Sequence, residues 1–264
     1  MTLLQAIILA IIEGITEFLP ISSTGHMVVA NSLFGIAEND FVKLYTVCIQ
    51  LGAILAVVAL YWKKFFDFKR INFYVKLIIA VIPALIFGFI FNDWIDETLE
   101  NPMFIGFAFL IGGIILLFIE NFFRKVRITK EEDIDTLTAL KIGLFQVLAI
   151  VFPGVSRSAA TIVGGLSQKL NKEVATEFSF FLAVPTMCAA TGYKLLKTIL
   201  KTPEMLATNW NLLLIGNVIA FIVAIISIKA LIQVVSKYGF QGFGIYRIVA
   251  GLVVIVLCLT KVIH

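Results

Sequence analysis

Two short stretches of the chain carry the residues that could do chemistry, and each interrupts a long apolar sequence. The first, residues 13 to 26, supplies two carboxylates, three hydroxyls and an imidazole: Glu13, Glu17, Ser22, Ser23, Thr24 and His26. The second, residues 153 to 161, supplies a Pro-Gly turn, a guanidinium and three hydroxyls: Pro153, Gly154, Ser156, Arg157, Ser158 and Thr161. An ionisable group in apolar surroundings costs about 3 kcal/mol or more, so such groups usually mark function. We expect the two stretches to meet in one active site.

The two glutamates predict either a bound cation or a trapped proton. Glu13 and Glu17 are four residues apart, which places them on one face of a helix. Two like charges there repel each other unless a cation or a proton lies between them. Carboxylate oxygens suit Mg²⁺ or Ca²⁺, whereas a protonated carboxyl would serve as a general acid. A solvated pair at a helix end is the alternative that the apolar flanks disfavour.

The hydroxyls and the histidine of the first stretch are typical of an anion site. Ser22, Ser23 and Thr24 follow Pro20 and predict the N-cap of a short helix, where free backbone N–H groups favour an anion. A serine there becomes a nucleophile when a base is near. His26 lies three residues beyond Ser23 and fits a general base or a direct nucleophile on phosphorus. The alternative is a buried histidine bonded to a backbone carbonyl.

Arg157 supplies the positive charge that the first stretch lacks. It follows a Pro-Gly turn at the start of a second short helix, and its guanidinium matches a phosphate through two parallel hydrogen bonds. Ser156, Ser158 and Thr161 add hydroxyl donors, or they bond back to their own helix. Gln50, within an apolar run, either faces the site or links helices. Together these groups suit a phosphate or pyrophosphate ester on an amphiphile that arrives from lipid.

The composition requires lipid as the solvent for much of the chain. Of its 264 residues 60% are hydrophobic and 14% are charged, against about 25% charge in soluble domains. Mean hydropathy is +1.02, so we treat residues 1–264 as one polytopic membrane domain. The net charge of +4 reflects basic loops and does not indicate a nucleic-acid surface. Because the first basic residue is Lys43, the apolar N-terminus is expected to be retained rather than cleaved as a signal peptide.

Six apolar runs are long enough to cross a hydrocarbon layer of about 30 Å. They are residues 44–62, 77–91 with its flanks, 102–119, 177–196, 210–228 and 245–260. Residues 2–34 and 138–168 are also apolar, but Pro20 and Pro153 divide each into two pieces too short to span. This pattern predicts a re-entrant helix hairpin in each region, with two proline-kinked spans as the alternative.

The charges of the loops predict which helix ends face the inside. Basic residues cluster in 63–76 and 121–141, whereas 92–101 carries acids and no base. The positive-inside rule therefore places the first two segments inside and the third outside. Following the chain to its end assigns Lys237 and Arg247 to the inside as well. The first hairpin then enters from the outside and the second from the inside.

Hairpins that enter from opposite faces predict an inverted repeat, with halves of about 1–120 and 138–264. The sequence carries a trace of it, because Pro20-x-x-Ser23 recurs as Pro153-x-x-Ser156 and Glu13 then aligns with Gln146. The predicted fold is all-α and polytopic, with about six transmembrane helices plus two re-entrant helix hairpins.

Both stretches resemble motifs of the undecaprenyl-diphosphatase family, the bacitracin-resistance membrane phosphatases. Two glutamates four apart followed by Phe-Leu-Pro-x-Ser-Ser-Thr-Gly-His match residues 13–26, and Pro-Gly-x-Ser-Arg-Ser-x-x-Thr matches residues 153–161. The resemblance implies hydrolysis of undecaprenyl diphosphate to the monophosphate at the outer face of a bacterial plasma membrane. That step recycles the carrier lipid for cell-wall synthesis and confers bacitracin resistance.

The resemblance also implies roles for individual residues. Glu13, Glu17, His26 and Arg157 would be essential, with Ser23, Ser156 and Thr161 at the phosphate. The nucleophile is either the serine or the histidine, and we favour Ser23 with His26 as its base. The expected ligands are a polyprenyl diphosphate, membrane lipid and a divalent metal, and a homodimer is left open.

A transporter or flippase of a phosphorylated lipid or anion is the main alternative, because inverted repeats with broken helices are typical of transporters. A carrier must bind phosphate, but it does not need paired glutamates with a histidine. A structural membrane subunit would need neither polar stretch. The other common class of membrane lipid phosphatase needs two catalytic histidines, and the second histidine here is the last residue, His264.

Overall fold

Apolar helices form almost all of the computed structural model, which describes residues 1–91 and 101–263. In chain order the helices are α1 Leu3–Thr16, α2 Ser23–Leu33, α3 Asp40–Leu60, α4 Trp62–Phe65, α5 Ile71–Ile90, α6 Pro102–Phe122, α7 Thr136–Val151, α8 Arg157–Ser167, α9 Lys172–Lys201, α10 Pro203–Tyr238 and α11 Gln241–Leu259. A single 3₁₀ turn, Glu131–Asp133, precedes α7. The predicted acidic outer loop and His264 lie outside the described residues.

The six predicted spans are confirmed as helices. By length and composition, α3, α5, α6, α9, α10 and α11 could each cross a membrane. The helices α9 and α10 are longer than predicted, with 30 and 36 residues. At 1.5 Å per residue, α10 exceeds a hydrocarbon layer of about 30 Å, so its ends extend beyond that layer.

Two helix–break–helix units occupy the interrupted regions. The first joins α1 to α2 and the second joins α7 to α8. Ser22 and Ser156 both have left-handed backbones, with φ of 70° and 62°, and both side chains cap the following helix. The predicted match paired Ser23 with Ser156, whereas the cap geometry pairs Ser22 with Ser156. The second break is therefore one residue longer between its proline and its cap.

The two halves of the chain pack in a matching way. The first helix of each half packs on the other half, α1 on α10 and α7 on α5. The helices α3 and α9 contact each other, and each also contacts one further helix of the opposite half, α10 for α3 and α5 for α9. The last helices of the halves, α6 and α11, cross at Gly113 and Gly244, where a Cβ on either glycine would stand 2.8 Å from the other's carbonyl oxygen. Close approach at small residues is typical of packing in lipid.

One end of the bundle, which we call the basic end, gathers the segments 61–70, 123–135, 168–171 and 239–240. Arg70 donates to Glu131 at 2.9 Å and to Glu132 at 2.7 Å. Tyr61 donates to Glu177 at 3.1 Å, and the backbone of 127–128 bonds to Lys169. These contacts hold segments that are distant in sequence at the same end.

Candidate active site

The structure brings the two polar stretches together through the breaks between their helices. Arg157, the first residue of α8, donates from Nη2 to Oε1 of Glu17 at 3.1 Å. Ser158 Oγ donates to the carbonyl oxygen of Phe18 at 2.7 Å. Glu17 is the C-cap of α1, so the ends of two helices from opposite halves of the chain meet at one carboxylate.

Glu17 is the centre of this junction. Its second oxygen, Oε2, accepts a hydrogen bond of 2.5 Å from the hydroxyl of Ser23. Arg157 also donates to the carbonyl oxygen of Ser179 at 3.0 Å, while its Nε is buried and has no hydrogen-bond partner among the described residues. The carboxylate therefore links a hydroxyl to a guanidinium that keeps one free donor, which is an arrangement able to take an anion.

Glu13 lies one turn before Glu17 and is fully buried, with 0% exposure. Neither of its carboxylate oxygens has a hydrogen-bond partner in the described part of the chain. An unpaired buried carboxylate is costly, so the site calls for a cation or a proton here. Among residues 1–91 and 101–263, no group of three or more His, Cys, Asp or Glu is placed so that it could hold a metal ion. The two carboxylates, with the Ser23 hydroxyl beside Glu17, supply oxygen donors of the kind that Mg²⁺ or Ca²⁺ prefers.

His26 does not bond to Ser23, which differs from the predicted serine–histidine pair. Its Nδ1 lies 2.7 Å from the carbonyl oxygen of Ser22 and its Nε2 lies 2.7 Å from the hydroxyl of Tyr246. A carbonyl oxygen can only accept, so Nδ1 carries the proton, and in the neutral ring Nε2 accepts from the tyrosine. The base in contact with the Ser23 hydroxyl is therefore Glu17, and the histidine ring bonds to the tyrosine instead.

The remaining predicted hydroxyls mostly hold the breaks in shape. Ser22 and Ser156 accept from the backbone N–H groups of their own helices at 3.3 and 3.2 Å. Thr161 donates back to Arg157 of its own helix at 2.9 Å, as expected for a structural threonine. The Ser158 hydroxyl instead crosses to the first stretch, so it fastens one break to the other.

Three predicted phosphate contacts take no direct part in this cluster. Thr24 and Gln50 are half-buried and show no hydrogen bond to the cluster within the described chain. Gly154 has a φ of 89°, in the region that favours glycine, and its carbonyl oxygen accepts a hydrogen bond from a buried arginine.

The Gly154 carbonyl accepts from Arg247. The prediction that counts Arg247 among the charges of the inner loops is wrong. Arg247 is fully buried, and its guanidinium donates to carbonyl oxygens of both breaks, Pro20 at 3.2 Å and Gly154 at 2.9 Å. It also donates to Ala108 of α6 at 2.8 Å. Its position in the sequence could have revealed this, because Arg247 is the third residue of the apolar run 245–260, and an arginine within such a run is not an ordinary loop charge.

Tyr246 is the second residue that the sequence did not reveal. Its ring stacks on that of His26, with centroids 5.7 Å apart and planes 9° apart, and Phe109 contacts the histidine ring from 5.1 Å. Nothing in the pattern of the last apolar run distinguishes this tyrosine, since an aromatic residue at a helix end is common in membrane proteins. Its hydroxyl occupies Nε2 of His26, while the carbonyl oxygen of Ser22 keeps the proton on Nδ1.

Comparison with known proteins places this chain in a family. The model of the bacitracin resistance protein BacA family matches residues 6–253. The undecaprenyl-diphosphatase of Flavobacterium johnsoniae is 53% identical over 258 residues, which cover 97% of this chain and 96% of that protein. The enzymes of the same name from Bdellovibrio bacteriovorus and Porphyromonas gingivalis are 50% and 47% identical, with coverage of at least 97% of each chain. With such identity over nearly its whole length, the chain belongs to the BacA family.

Proposed function

We propose that this protein hydrolyses undecaprenyl diphosphate to undecaprenyl phosphate and inorganic phosphate, and that it thereby recycles the carrier lipid and confers bacitracin resistance. The observation that carries the proposal is the Glu17 carboxylate, which holds the Ser23 hydroxyl on one oxygen and the Arg157 guanidinium on the other. A nucleophile, a base and a phosphate-binding cation are thus in contact. The names of relatives that are about half identical support the same reaction.

The reaction proceeds through the serine. The Ser23 oxygen attacks the terminal phosphorus while Glu17 accepts its proton, and the bond from phosphorus to the bridging oxygen breaks to release undecaprenyl phosphate. A water molecule then displaces the serine oxygen from phosphorus, and the proton returns from Glu17 to Ser23. Arg157, with its free Nε, stabilises the negative charge of the transferring group. His26 is less suited to attack, because Nε2 is engaged by Tyr246.

Glu13 and Glu17 are the residues that would hold a divalent cation. When bound, Mg²⁺ or Ca²⁺ supplies positive charge that neutralises the diphosphate. The two unpartnered oxygens of Glu13 support this assignment, because a buried carboxylate without a donor needs a counterion or a proton.

The units α1–α2 and α7–α8 act as re-entrant hairpins that enter from opposite faces of a bacterial plasma membrane. The matching packing of the two halves and the shared geometry of Ser22 and Ser156 support an inverted repeat. The basic end supports the cytoplasmic side for the loops 61–70 and 123–135. The active site then opens to the extracytoplasmic face.

Labelling of single cysteines tests this orientation. In a variant without native cysteines, an impermeant thiol reagent added to intact cells should label a cysteine at Glu38, at the end opposite the basic end, and should leave one at Lys130 unlabelled. Permeabilised cells are the control and should label both positions. Labelling of Lys130 alone would reverse the orientation, and labelling of both in intact cells would contradict a sealed two-sided topology.

A phosphate-release assay on the purified protein tests the reaction. With a C55 or C15 isoprenyl diphosphate and Mg²⁺ we expect turnover that a chelator abolishes, because the carboxylate pair needs its cation. Ser23→Ala should lose at least about 10³-fold in rate, since it removes the nucleophile. Ser227→Ala is the matched control, because within the described residues that hydroxyl bonds only to its own helix at Val223. Full activity of Ser23→Ala would exclude the serine and leave His26 as the nucleophile.

Transport of a phosphorylated lipid is a second candidate, which the matching packing of the two halves favours. A carrier has no need of a hydroxyl bonded to a carboxylate. Absence of phosphate release from the native protein under every metal condition would therefore favour transport over hydrolysis.

A further inference from the structure

A pocket of about 280 Å³ lies away from the active site, at the basic end of the bundle. It opens between the C-terminal ends of α6 and α8. Its lining includes Phe122, Arg124, Lys125, Ser167 and Lys169, together with Asn121 and two apolar neighbours. Ser167 lies ten positions after Arg157 in α8, a distance of about 15 Å along the helix. The pocket is therefore a separate feature, and nothing in the proposed reaction uses it.

The pocket is rich in positive charge that no acid neutralises. Within the described residues, Arg124, Lys125 and Lys169 form no ion pair with a carboxylate, and the one side-chain hydrogen bond of Arg124 goes to the neutral Asn121. Glu120 is already occupied, because it pairs with Lys172 and accepts from the backbone N–H of Phe240 at 2.7 Å. Three cations around one cavity favour an anionic occupant.

Lys169 adopts a backbone conformation that favours glycine. Its φ is 71°, and it ends α8 in the hydrogen-bond pattern that usually places glycine at this position, with Lys169 N–H bonded to Leu166 and Leu170 N–H bonded to Gly165. A residue with a Cβ costs about 1 kcal/mol or more in this region. The lysine carbonyl accepts from the N–H groups of Arg127 and Ile128, which secures the strained turn. Glycine would relieve the strain, so replacing Lys169 by glycine removes the side chain without a backbone penalty.

The position of the pocket favours a lipid as the source of such an anion. Phe122 is the last residue of α6, a helix that could cross the membrane, and it is 78% exposed. An exposed aromatic ring at the end of a spanning helix lies at the border of lipid and water. Basic pockets between helices at that border accept anionic headgroups. We propose that this pocket binds the headgroup phosphate of an anionic phospholipid, with its acyl chains passing along Phe122.

Lipid binding by the purified full-length protein tests the proposal. In a non-ionic detergent, dioleoyl phosphatidylglycerol should raise the melting temperature and remain bound in native mass spectrometry, whereas dioleoyl phosphatidylcholine should do neither. Lys169→Gly should weaken phosphatidylglycerol binding at least about fivefold while the lipid-free melting temperature stays equal or rises. Lys169→Gln with Lys125→Gln keeps the strained backbone, removes two charges and should weaken binding further.

Lys63→Gln is the matched control, because it removes one exposed charge from the basic end but lies outside the pocket. It should bind phosphatidylglycerol like the native protein. Equal binding by the native protein and both pocket variants would overturn the proposal, as would an equal loss in Lys63→Gln. Sodium phosphate that stabilises the protein as strongly as phosphatidylglycerol does, at the same ionic strength, would show a site for free phosphate and not for lipid.

Discussion

Glu17→Gln is expected to lower the rate of phosphate release from undecaprenyl diphosphate by about 10³-fold or more. The amide keeps the size of the carboxylate and can still accept from Ser23, but it cannot take the serine proton. Loss of a positioned general base costs about 10²–10⁴-fold. The same change removes the counterion of Arg157, whose Nη2 lies 3.1 Å from Glu17 in the native site, and one of the two carboxylates proposed to hold the cation. The rate is measured on the purified variant with saturating Mg²⁺.

The folding cost of this substitution can be separated from its catalytic cost. Removing one partner of a buried ion pair destabilises a protein by about 3–5 kcal/mol, because the other charge remains unpaired. The double variant Glu17→Gln with Arg157→Gln should therefore melt closer to the native protein than either single variant, yet stay inactive. Glu177→Gln is the matched control, since that carboxylate bonds to Tyr61 at the basic end. Turnover of Glu17→Gln within tenfold of the native rate would show that Glu17 is not the base.

The sequence predicted the elements well because lipid imposes simple rules on them. A span needs about 20 apolar residues, and an interruption by proline and polar residues is tolerated only where protein surrounds it. Those rules suffice for α3, α5 and α6 and for both broken regions. They also explain why the sequence alone indicates that the polar groups of residues 13–26 and 153–161 belong to one site, since neither stretch could face lipid by itself.

The pairings inside the site could not be predicted in the same way. Ser23 and His26 share the helix α2, as the spacing predicted, but the left-handed backbone of Ser22 lies between Ser23 and α1, and the hydroxyl of Ser23 bonds to Glu17 instead of the histidine. The partner of His26 is Tyr246, 220 residues away in sequence, and no local pattern encodes such a contact. Side-chain partners across the two breaks depend on how the two halves of the chain pack together. Neither the composition nor the helical periodicity of the sequence specifies that packing.

Arg247→Met is expected to destabilise the protein severely and to abolish turnover, although Arg247 is assigned no part in the chemistry. Its guanidinium is the donor for carbonyl oxygens of both breaks and of α6, including Pro20, Gly154 and Ala108. Methionine fills similar space but leaves the buried carbonyls of Pro20 and Gly154 without this donor, at about 1–3 kcal/mol each, whereas the Ala108 carbonyl keeps its partner within α6. We expect the melting temperature in detergent to fall by about 10 °C and the yield of folded protein to drop with it.

The physical reason for this effect is that the breaks have few bonds of their own. Each break leaves backbone carbonyls unsatisfied where a continuous helix would bond them, and in lipid no water is present to replace the lost partners. A planar guanidinium with five N–H groups can serve several carbonyls at once, whereas an ammonium has three donors on a single nitrogen. Arg247→Lys should therefore recover only part of the stability, and it should recover turnover in proportion to the folded fraction.

The matched control for Arg247→Met is Arg127→Met, which removes an exposed guanidinium from the basic end and should leave melting temperature and turnover unchanged. If Arg247→Met kept its native melting temperature but lost turnover, the arginine would act on the substrate and not on the breaks. If it kept both, the carbonyls of Pro20 and Gly154 would have other donors. Loss of both, with partial recovery in Arg247→Lys, is the result expected of a residue that holds the two halves of the active site at their junction.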